Sequence, residues 1–374
     1  IVMKLFLLSL TFFFLSSALP AKKKLSTTEL IRPLININNL GSGNTAAIKV
    51  WPKVASLPSS EVPELLKAMN QANPLGDNWI RGALSKICEK NKFSLPIAKI
   101  IAFLKNQSNQ DGARQMAYEI IEAYKPAIAD TLAPSFIDDP AADLRRVSVA
   151  LMIDQSHSIE NEAKKKELLL STLKKAREVD QIKEISKTLK EMGQDINITK
   201  LMGFLLKWHT VGPFDNKERM GFNKKFQPEE KTDLDQKYKS MDETIIWSPF
   251  STTEEFGMLD INQQYGEIKE VCAYAQTTFL SKDSKPAHFR IGSKNAWKLW
   301  LNGKLLFARD EYHRGKTRVD QFIIEGELKK GKNLILLKIC QNEQTQSWTK
   351  QWEFNFRVTD RTGSVIHTIE PLSN

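Results

Sequence analysis

Apolar and polar residues alternate in short runs through the C-terminal half of the chain. Three such runs lie within residues 287–309, and Asn302 and Gly303 separate the last two. This pair indicates a two-residue β-hairpin, because both central positions of a type I′ turn need a positive φ. Similar runs predict strands at 270–280, 286–292, 295–301, 304–309, 319–324, 333–340 and 351–358. Short strands separated by turn residues predict an antiparallel β-sandwich, or jelly roll, over residues 204–374.

The hydrophobic period becomes helical in residues 59–203, where positions such as Ile80 and Leu84 share one face. Residues 22–58 instead scatter Ile and Leu among Asn, Gly, Ser and Pro, which favours a linker or a loosely packed arm. The sequence therefore predicts a multidomain α plus β protein, in which an all-α region at 59–203 precedes the sandwich at 204–374.

The first 21 residues have the pattern of a secretory signal peptide. Lys4 precedes an apolar run of about 11 residues, whereas a bilayer span needs about 20, and small residues follow. We expect cleavage after Ala18 or Ala21, a secreted or periplasmic protein, and no transmembrane span after cleavage. The alternative is an uncleaved N-terminal anchor with lysines 22–24 at the membrane interface.

The predicted strand at 295–301 has two different faces. Its apolar face consists of Trp297, Leu299 and Leu301. Its other face consists of Lys298, Trp300 and Asn302. An aromatic ring among amides and charges can stack on a sugar while its neighbours bind the hydroxyl groups. Trp300 and Asn302 are therefore candidate ligand-binding residues. The alternative is that Trp300 is buried beneath the long segment at 215–270.

The loop at 310–315 follows the hairpin and is rich in functional groups, namely those of Asp310, Glu311, Tyr312, His313 and Arg314. A polar ligand site would use Asp310, Tyr312, His313 and Arg314. Two other interpretations are a salt-bridged structural loop and a catalytic acid–base site that uses Asp310, Glu311 or His313. Calcium bound through Asp310, Glu311 and Asp320 lacks the six to eight oxygens that this ion needs.

A second polar and aromatic cluster follows the penultimate predicted strand. It consists of Gln341, Asn342, Glu343, Gln344 and Trp348. We expect a stronger binding site if this cluster and the loop at 310–315 meet in space.

Three segments together resemble the galactose-binding-like and PA14-like β-sandwiches of secreted bacterial proteins. They are residues 271–275, the W-L-N-G-K hairpin within 297–304, and the L-K-x-G-x-N strand entry within 328–338. The resemblance covers roughly residues 205–365 and implies a sandwich that binds carbohydrate or protein, or that acts as a spacer.

A second resemblance lies in the helical region. Residues 133–140 end in an Asp-Pro turn and lead into an apolar helical stripe with Arg145 and Arg146 on its exposed side. This unit resembles a HEAT repeat and implies a helical array with a protein-binding surface. A simple all-α bundle is the alternative.

No nucleotide-binding, serine-hydrolase, zincin or thioredoxin motif occurs in the sequence, and the five histidines share no ligand spacing. We therefore expect no metal and no cofactor. The net charge of +10 forms no clustered basic arm, so a nucleic-acid partner is not expected. Of the three cysteines, Cys272 and Cys340 lie in predicted strands of one domain. They are either bridged or buried as free thiols.

These observations favour an exported, non-enzymatic protein whose sandwich binds carbohydrate or another cell-envelope component. One alternative is an interaction scaffold that binds a protein partner on the helical array. Another is a glycan hydrolase that uses the carboxylates of the loop at 310–315.

Overall fold

A computed structural model of the chain describes residues 25–38, 40–241 and 243–369. The chain divides into two compact units, residues 1–124 and 125–374. A helical N-terminal region precedes antiparallel sheets, which confirms the predicted α plus β class. Within the described ranges, no helix is long and apolar enough to cross a membrane. The predicted signal segment, residues 1–21, lies outside them.

The described part of the first unit is helical. Its helices are α1 (Thr27–Ile35), α2 (Asn44–Val54), α3 (Val62–Met69), α4 (Pro74–Lys90), α5 (Ile97–Lys105) and α6 (Asp111–Tyr124). A capping box starts α1, where the Glu29 N–H donates to Ser26 Oγ at 3.2 Å and the Ser26 N–H donates to the Glu29 carboxylate at 2.8 Å. Much of 22–58 is thus helical in place of the expected linker, because Ile31 and Leu34 lie three apart and bury one face of α1.

Helices continue into the second unit. They are α7 (Pro126–Leu132), α8 (Ala142–His157), α9 (Glu162–Leu173), α10 (Val179–Glu191) and α11 (Ile198–Met202). The apolar faces of α8 to α11 share a buried cluster that also contains Phe204 and is contacted by Phe256 and Val319 from the sheet-forming half of the chain. The unit therefore begins at residue 125 rather than at 204, where the hydrophobic period changes.

Arg145 differs from its predicted exposed position, because its side chain is only 2% exposed. Its guanidinium donates to the carbonyl oxygens of Asp139 at 2.7 Å and Thr362 at 3.0 Å. These carbonyls satisfy the donors of a buried arginine. Arg146 is exposed as predicted and donates to the Asp180 carboxylate at 2.9 Å.

The strands follow in the same unit. They are β1 (Lys207–Asp215), β2 (Lys237–Ser240), β3 (Glu243–Ile246), β4 (Ser248–Ser251), β5 (Leu259–Asp260), β6 (Val271–Ser281), β7 (Lys285–Gly292), β8 (Ala296–Leu301), β9 (Lys304–Arg309), β10 (Phe322–Leu328), β11 (Gly331–Cys340) and β12 (Glu353–Thr359). One sheet has the order β4-β1-β6-β11-β8-β9, a second β10-β7-β12-β5, and β2 pairs with β3. In the β8–β9 turn, Asn302 has φ 52° and Gly303 has φ 81°, which confirms the predicted hairpin.

The two larger sheets share one apolar core. From β8 it takes Trp297, Leu299 and Leu301, from β7 Ala287, Phe289 and Ile291, and from β12 Phe354, Phe356 and Val358. The alternation in sequence predicts these faces, and burial confirms them.

The outer face of the six-stranded sheet carries a second buried cluster. The segment between β1 and β6, which includes the short helices α12 (Met220–Asn223) and α13 (Asn262–Tyr265), supplies Phe222, Tyr238, Ile245 and Trp247 to it. Trp300 belongs to this cluster and is only 7% exposed. The prediction that Trp300 stands exposed on a polar face is therefore wrong, because this segment covers that face.

Lys338 fastens the covering segment to the sheet. Its side chain is fully buried, and its ammonium donates to the carbonyl oxygens of Phe222 at 3.2 Å and Lys224 at 2.7 Å. It also lies 2.9 Å from a carboxylate oxygen of Glu229, which accepts a hydrogen bond from Tyr274 as well. Charge pairing and hydrogen bonds therefore compensate the burial of this lysine.

Candidate functional site

The loop at 310–315 and the polar cluster at 341–348 meet at one end of the sandwich, which is the arrangement expected to strengthen a binding site. His313 Nε2 lies 2.9 Å from Asn342 Oδ1. Together with Arg219, the two segments enclose a cavity of about 470 Å³. Its lining consists of Arg219, Asp310, Glu311, Tyr312, His313, Arg314, Asn342, Gln344 and Trp348.

Buried polar side chains hold the two loops in place. The backbone N–H of His313 donates to the backbone carbonyl of Lys294 at 2.6 Å. The side-chain ammonium of Lys294 donates to the backbone carbonyl of Trp348 at 2.5 Å. Asn216 is fully buried and its amide donates to Tyr312 Oη at 3.1 Å and to the Gln341 carbonyl at 2.8 Å. Residues from two other parts of the chain therefore preorganise the base of the cavity.

The surroundings of His313 favour the neutral form of its imidazole. Burial lowers its pKa below the usual range, and the charges of Lys269, Lys294 and Arg219 lower it further, against the opposing effect of the Asn342 hydrogen bond. Asn342 Oδ1 also accepts the Gln344 N–H at 3.2 Å, so it is an acceptor and His313 Nε2 is the donor. His313 Nδ1 is then an acceptor, with no hydrogen-bond partner among the described residues.

The cavity presents both charges and an aromatic surface. Arg219 lies over the Tyr312 ring, 5.3 Å from its centroid, and donates to the Glu343 carboxylate. Asp310 and Arg314 are exposed and make no hydrogen bond or ion pair with any other described residue. Trp348 is 64% exposed, so its indole is accessible at the cavity. A ligand that combines hydroxyl groups with an apolar ring face matches this set of groups.

Four of the six predicted ligand-binding residues line the cavity, namely Asp310, Tyr312, His313 and Arg314. The other two lie elsewhere. Trp300 is in the second buried cluster. Asn302 braces the hairpin, because its amide donates to Asn333 Oδ1 at 3.0 Å and its Oδ1 accepts the Leu334 N–H at 3.0 Å. Neither residue contributes to the lining.

Arg219, Asn216 and Lys294 are site residues that sequence patterns do not identify. Asn216 and Lys294 lie in irregular segments, Arg219 ends the short 3₁₀ helix at Lys217–Arg219, and no motif connects any of them to the loop at 310–315. Arg219 has a φ of 63°, which is unusual for this residue type and visible only in the structure.

The calcium alternative is not supported in the described chain. Arg357 and Arg290 hold the Asp320 carboxylate, with the Arg357 Nε and Arg290 Nη1 atoms at 2.7 and 2.8 Å. Among the described residues, no group of three or more His, Cys, Asp or Glu side chains could hold a metal ion.

Cys272 and Cys340 lie opposite each other in the pairing of β6 with β11 and are fully buried free thiols. Burial raises the pKa of Cys340. The structure thus shows the unbridged alternative, with the pair in the second buried cluster.

Comparisons with known proteins do not identify a family. No protein-family model and no curated protein matches the chain. An anti-sigma factor domain-containing protein from Clostridium clariflavum has 15% identity and a TM-score of 0.25, with 46% of this chain and 49% of that chain covered. A β-glucosidase from Kluyveromyces marxianus in complex with glucose has 14% identity and a TM-score of 0.18, with 24% and 10% covered.

An uncultured Clostridium sp. β-glucuronidase has 10% identity and a TM-score of 0.25, with 42% of this chain and 28% of that chain covered. The chain thus spans half or less of the length of each of these structures. Likeness at this level does not establish a shared function.

The folded protein is expected to lose stability in acid, because burial disfavours the protonated ring of His313. Because the folded pKa of His313 is depressed, its contribution to stability is present above about pH 6.5, the unfolded value, and is lost as the pH falls through the folded pKa. His313→Asn should remove this part of the pH dependence, since Asn tolerates the φ of 55°. Urea unfolding of both proteins at pH 7.5 and 5 measures the difference. Identical pH dependence of the two would contradict this role.

Proposed function

We propose that this protein is an exported, non-enzymatic binding protein whose sandwich holds a carbohydrate at the cavity between the loop at 310–315 and the cluster at 341–348. The observation that carries the proposal is the exposed indole of Trp348 beside a polar cavity of about 470 Å³. The indole can stack on the apolar face of a sugar ring, and the surrounding groups can bind its hydroxyls.

The polar groups of the cavity suit hydroxyl recognition. Asp310 offers carboxylate oxygens that no described residue uses, and Arg314 offers donors that are equally free. Gln344 adds an amide. Such a set fixes the orientation of a sugar, while the aromatic surface supplies most of the contact area.

Trp348→Ala is expected to weaken sugar binding about two- to twelvefold, because stacking on an aromatic ring contributes roughly 0.5–1.5 kcal/mol. The fold should be unaffected, since the indole is 64% exposed. Binding of the purified chain to a polysaccharide and glycan panel, followed by calorimetry on the best ligand, measures the effect.

Leu305→Ala is the matched control. Leu305 lies on β9 in the same unit, is 46% exposed and does not line the cavity. This variant should bind like the unaltered protein. No binding across the panel, or equal affinity of the Trp348→Ala variant, would contradict the proposal, and release of shorter sugars during the assay would favour the hydrolase alternative.

A further inference from the structure

The first unit carries an exposed apolar surface that the proposed function does not use. In α2 only Ala47 and Val54 are buried, whereas Ile48 is 58% exposed and Trp51 half-buried. Trp51 packs edge-on against Trp79 of α4, with ring centroids 6.4 Å apart. Leu75, one turn before Trp79, is 37% exposed. We call this surface the tryptophan face, formed by Ile48, Trp51, Pro52, Leu75 and Trp79.

Two shallow recesses flank Trp51. One measures about 360 Å³ and is lined by Trp51, Pro52, Ala55, Lys86, Glu89 and Lys90. The other measures about 320 Å³ and is lined by Trp51, Asn78, Trp79 and Gly82. The Trp51 Nε1–H donates to the Trp79 carbonyl at 3.1 Å, so the indole is held between them. The two indole rings therefore form a fixed, raised apolar surface and not a deep pocket.

Both helices that form the tryptophan face carry lysines. Helix α2 contains Lys49 and Lys53 and no acidic residue. On α4, Lys86 and Lys90 line the first recess, and the one acidic residue there, Glu89, is paired with Lys86 at 3.1 Å. Indole rings with lysines around them are typical of surfaces that lie in the headgroup region of an anionic bilayer.

We propose that the tryptophan face docks on an anionic phospholipid surface, with Trp51, Trp79 and Ile48 in the headgroup layer and the lysines against lipid phosphates. The charge of the rim and the shallowness of the recesses favour a lipid surface over a sugar or a peptide. The sequence order agrees with this, because the apolar run and lysines 22–24 directly precede α1, which packs against α2 and α4. This inference is independent of the sugar site.

The test is co-sedimentation of the protein that starts at Lys22 with vesicles of phosphatidylcholine alone and of phosphatidylcholine mixed with phosphatidylglycerol. Starting at Lys22 excludes insertion of the apolar run, and lysines 22–24 stay in every variant, so their attraction cancels. The protein should bind the anionic vesicles preferentially and lose binding at high salt. The double variant Lys49→Gln, Lys53→Gln should weaken vesicle binding about thirtyfold, because each lysine near an anionic surface contributes about fivefold to the affinity.

Trp51→Ala should weaken vesicle binding about tenfold. Ile48→Ser tests the same surface without risk to the fold, because Ile48 is outside the core. Trp348→Ala is the matched control, since it removes an exposed tryptophan from the other unit, and it should bind vesicles like the unaltered protein. Absence of preference for anionic vesicles would overturn the proposal. So would equal binding by the Ile48 and lysine variants, or a soluble glycan or a second copy of the chain that competes with the vesicles for this face.

Discussion

Lys338→Met is expected to lower the free energy of unfolding by about 3 to 5 kcal/mol, because it leaves the Glu229 carboxylate buried without its cation. The side-chain exposures of Lys338 and Glu229 are 0% and 10%, so solvent does little to screen the lost charge. The carbonyl oxygens of Phe222 and Lys224 lose a donor in the same variant. Urea unfolding measures the loss.

A double variant separates charge from packing. Glu229→Gln combined with Lys338→Met keeps an acceptor for Tyr274 and removes the unpaired carboxylate, so it should be more stable than Lys338→Met alone. Both variants should increase proteolysis within residues 216–236, because Lys338 fastens this segment. Two results would show that the ion pair does not hold the segment. One is a Lys338→Met protein as stable as the unaltered one, and the other is a double variant less stable than Lys338→Met alone.

Asp320→Asn is expected to cost a similar amount, about 3 to 5 kcal/mol at neutral pH, because it leaves two largely buried guanidinium groups without their shared carboxylate. Burial by itself raises the pKa of Asp320, but the hydrogen bonds and charges of Arg357 and Arg290 outweigh burial and hold the pKa below its usual value. Asn has nearly the same shape and accepts the φ of 56°, so the change tests charge rather than backbone conformation.

The pH dependence gives this prediction its sign. A depressed folded pKa means that the contribution of Asp320 is fully present above about pH 3.9, the unfolded value, and is lost as the pH falls through the folded pKa. The stability difference between the two proteins should therefore be largest above pH 4 and shrink below it. Denaturant unfolding from pH 7 to pH 3 measures this difference. A constant difference across that range would argue that Asp320 acts through packing alone.

The two ion clusters also bear on the candidate site. Lys338 binds the segment that follows Asn216 and Arg219 in the chain. Asp320 lies shortly after the loop at 310–315 and is held by Arg357. Neither Lys338 nor Asp320 lines the cavity itself. If the cavity binds sugar as proposed, loss of either cluster should weaken that binding indirectly, through the positions of the loops rather than through contact.

Much of the sandwich could be predicted from local patterns. The hairpin at Asn302 and Gly303 follows from the backbone angles that this pair favours, and the inward positions of β7, β8 and β12 follow from alternation. The loop at 310–315 could be identified as a candidate site as well, since a dense set of polar groups directly after a hairpin is a local feature. Local patterns do not predict the helices within residues 27–54. Scattered apolar positions among Asn and Gly resemble a linker, and only the neighbouring helices that bury these positions distinguish the two.

Trp300 marks the limit of such patterns. Alternation identifies Lys298, Trp300 and Asn302 as sharing a face, but it contains no information on whether that face meets water or another part of the chain. Residues far away in sequence, such as Phe222 and Trp247, cover this face. Lys338 holds the covering segment by hydrogen bonds, although its sequence context is that of an ordinary surface lysine.

The amino-acid sequence alone therefore determined the class of fold, the positions of the main sandwich strands along the chain, and which side chains of β7, β8 and β12 face the core between the two larger sheets. These properties depend on neighbours a few residues apart. The candidate site has a different origin, because its cavity exists only where the loop at 310–315, the cluster at 341–348 and Arg219 meet. Long-range packing placed Trp348 at that cavity and buried Trp300, and no local pattern distinguishes these two tryptophans.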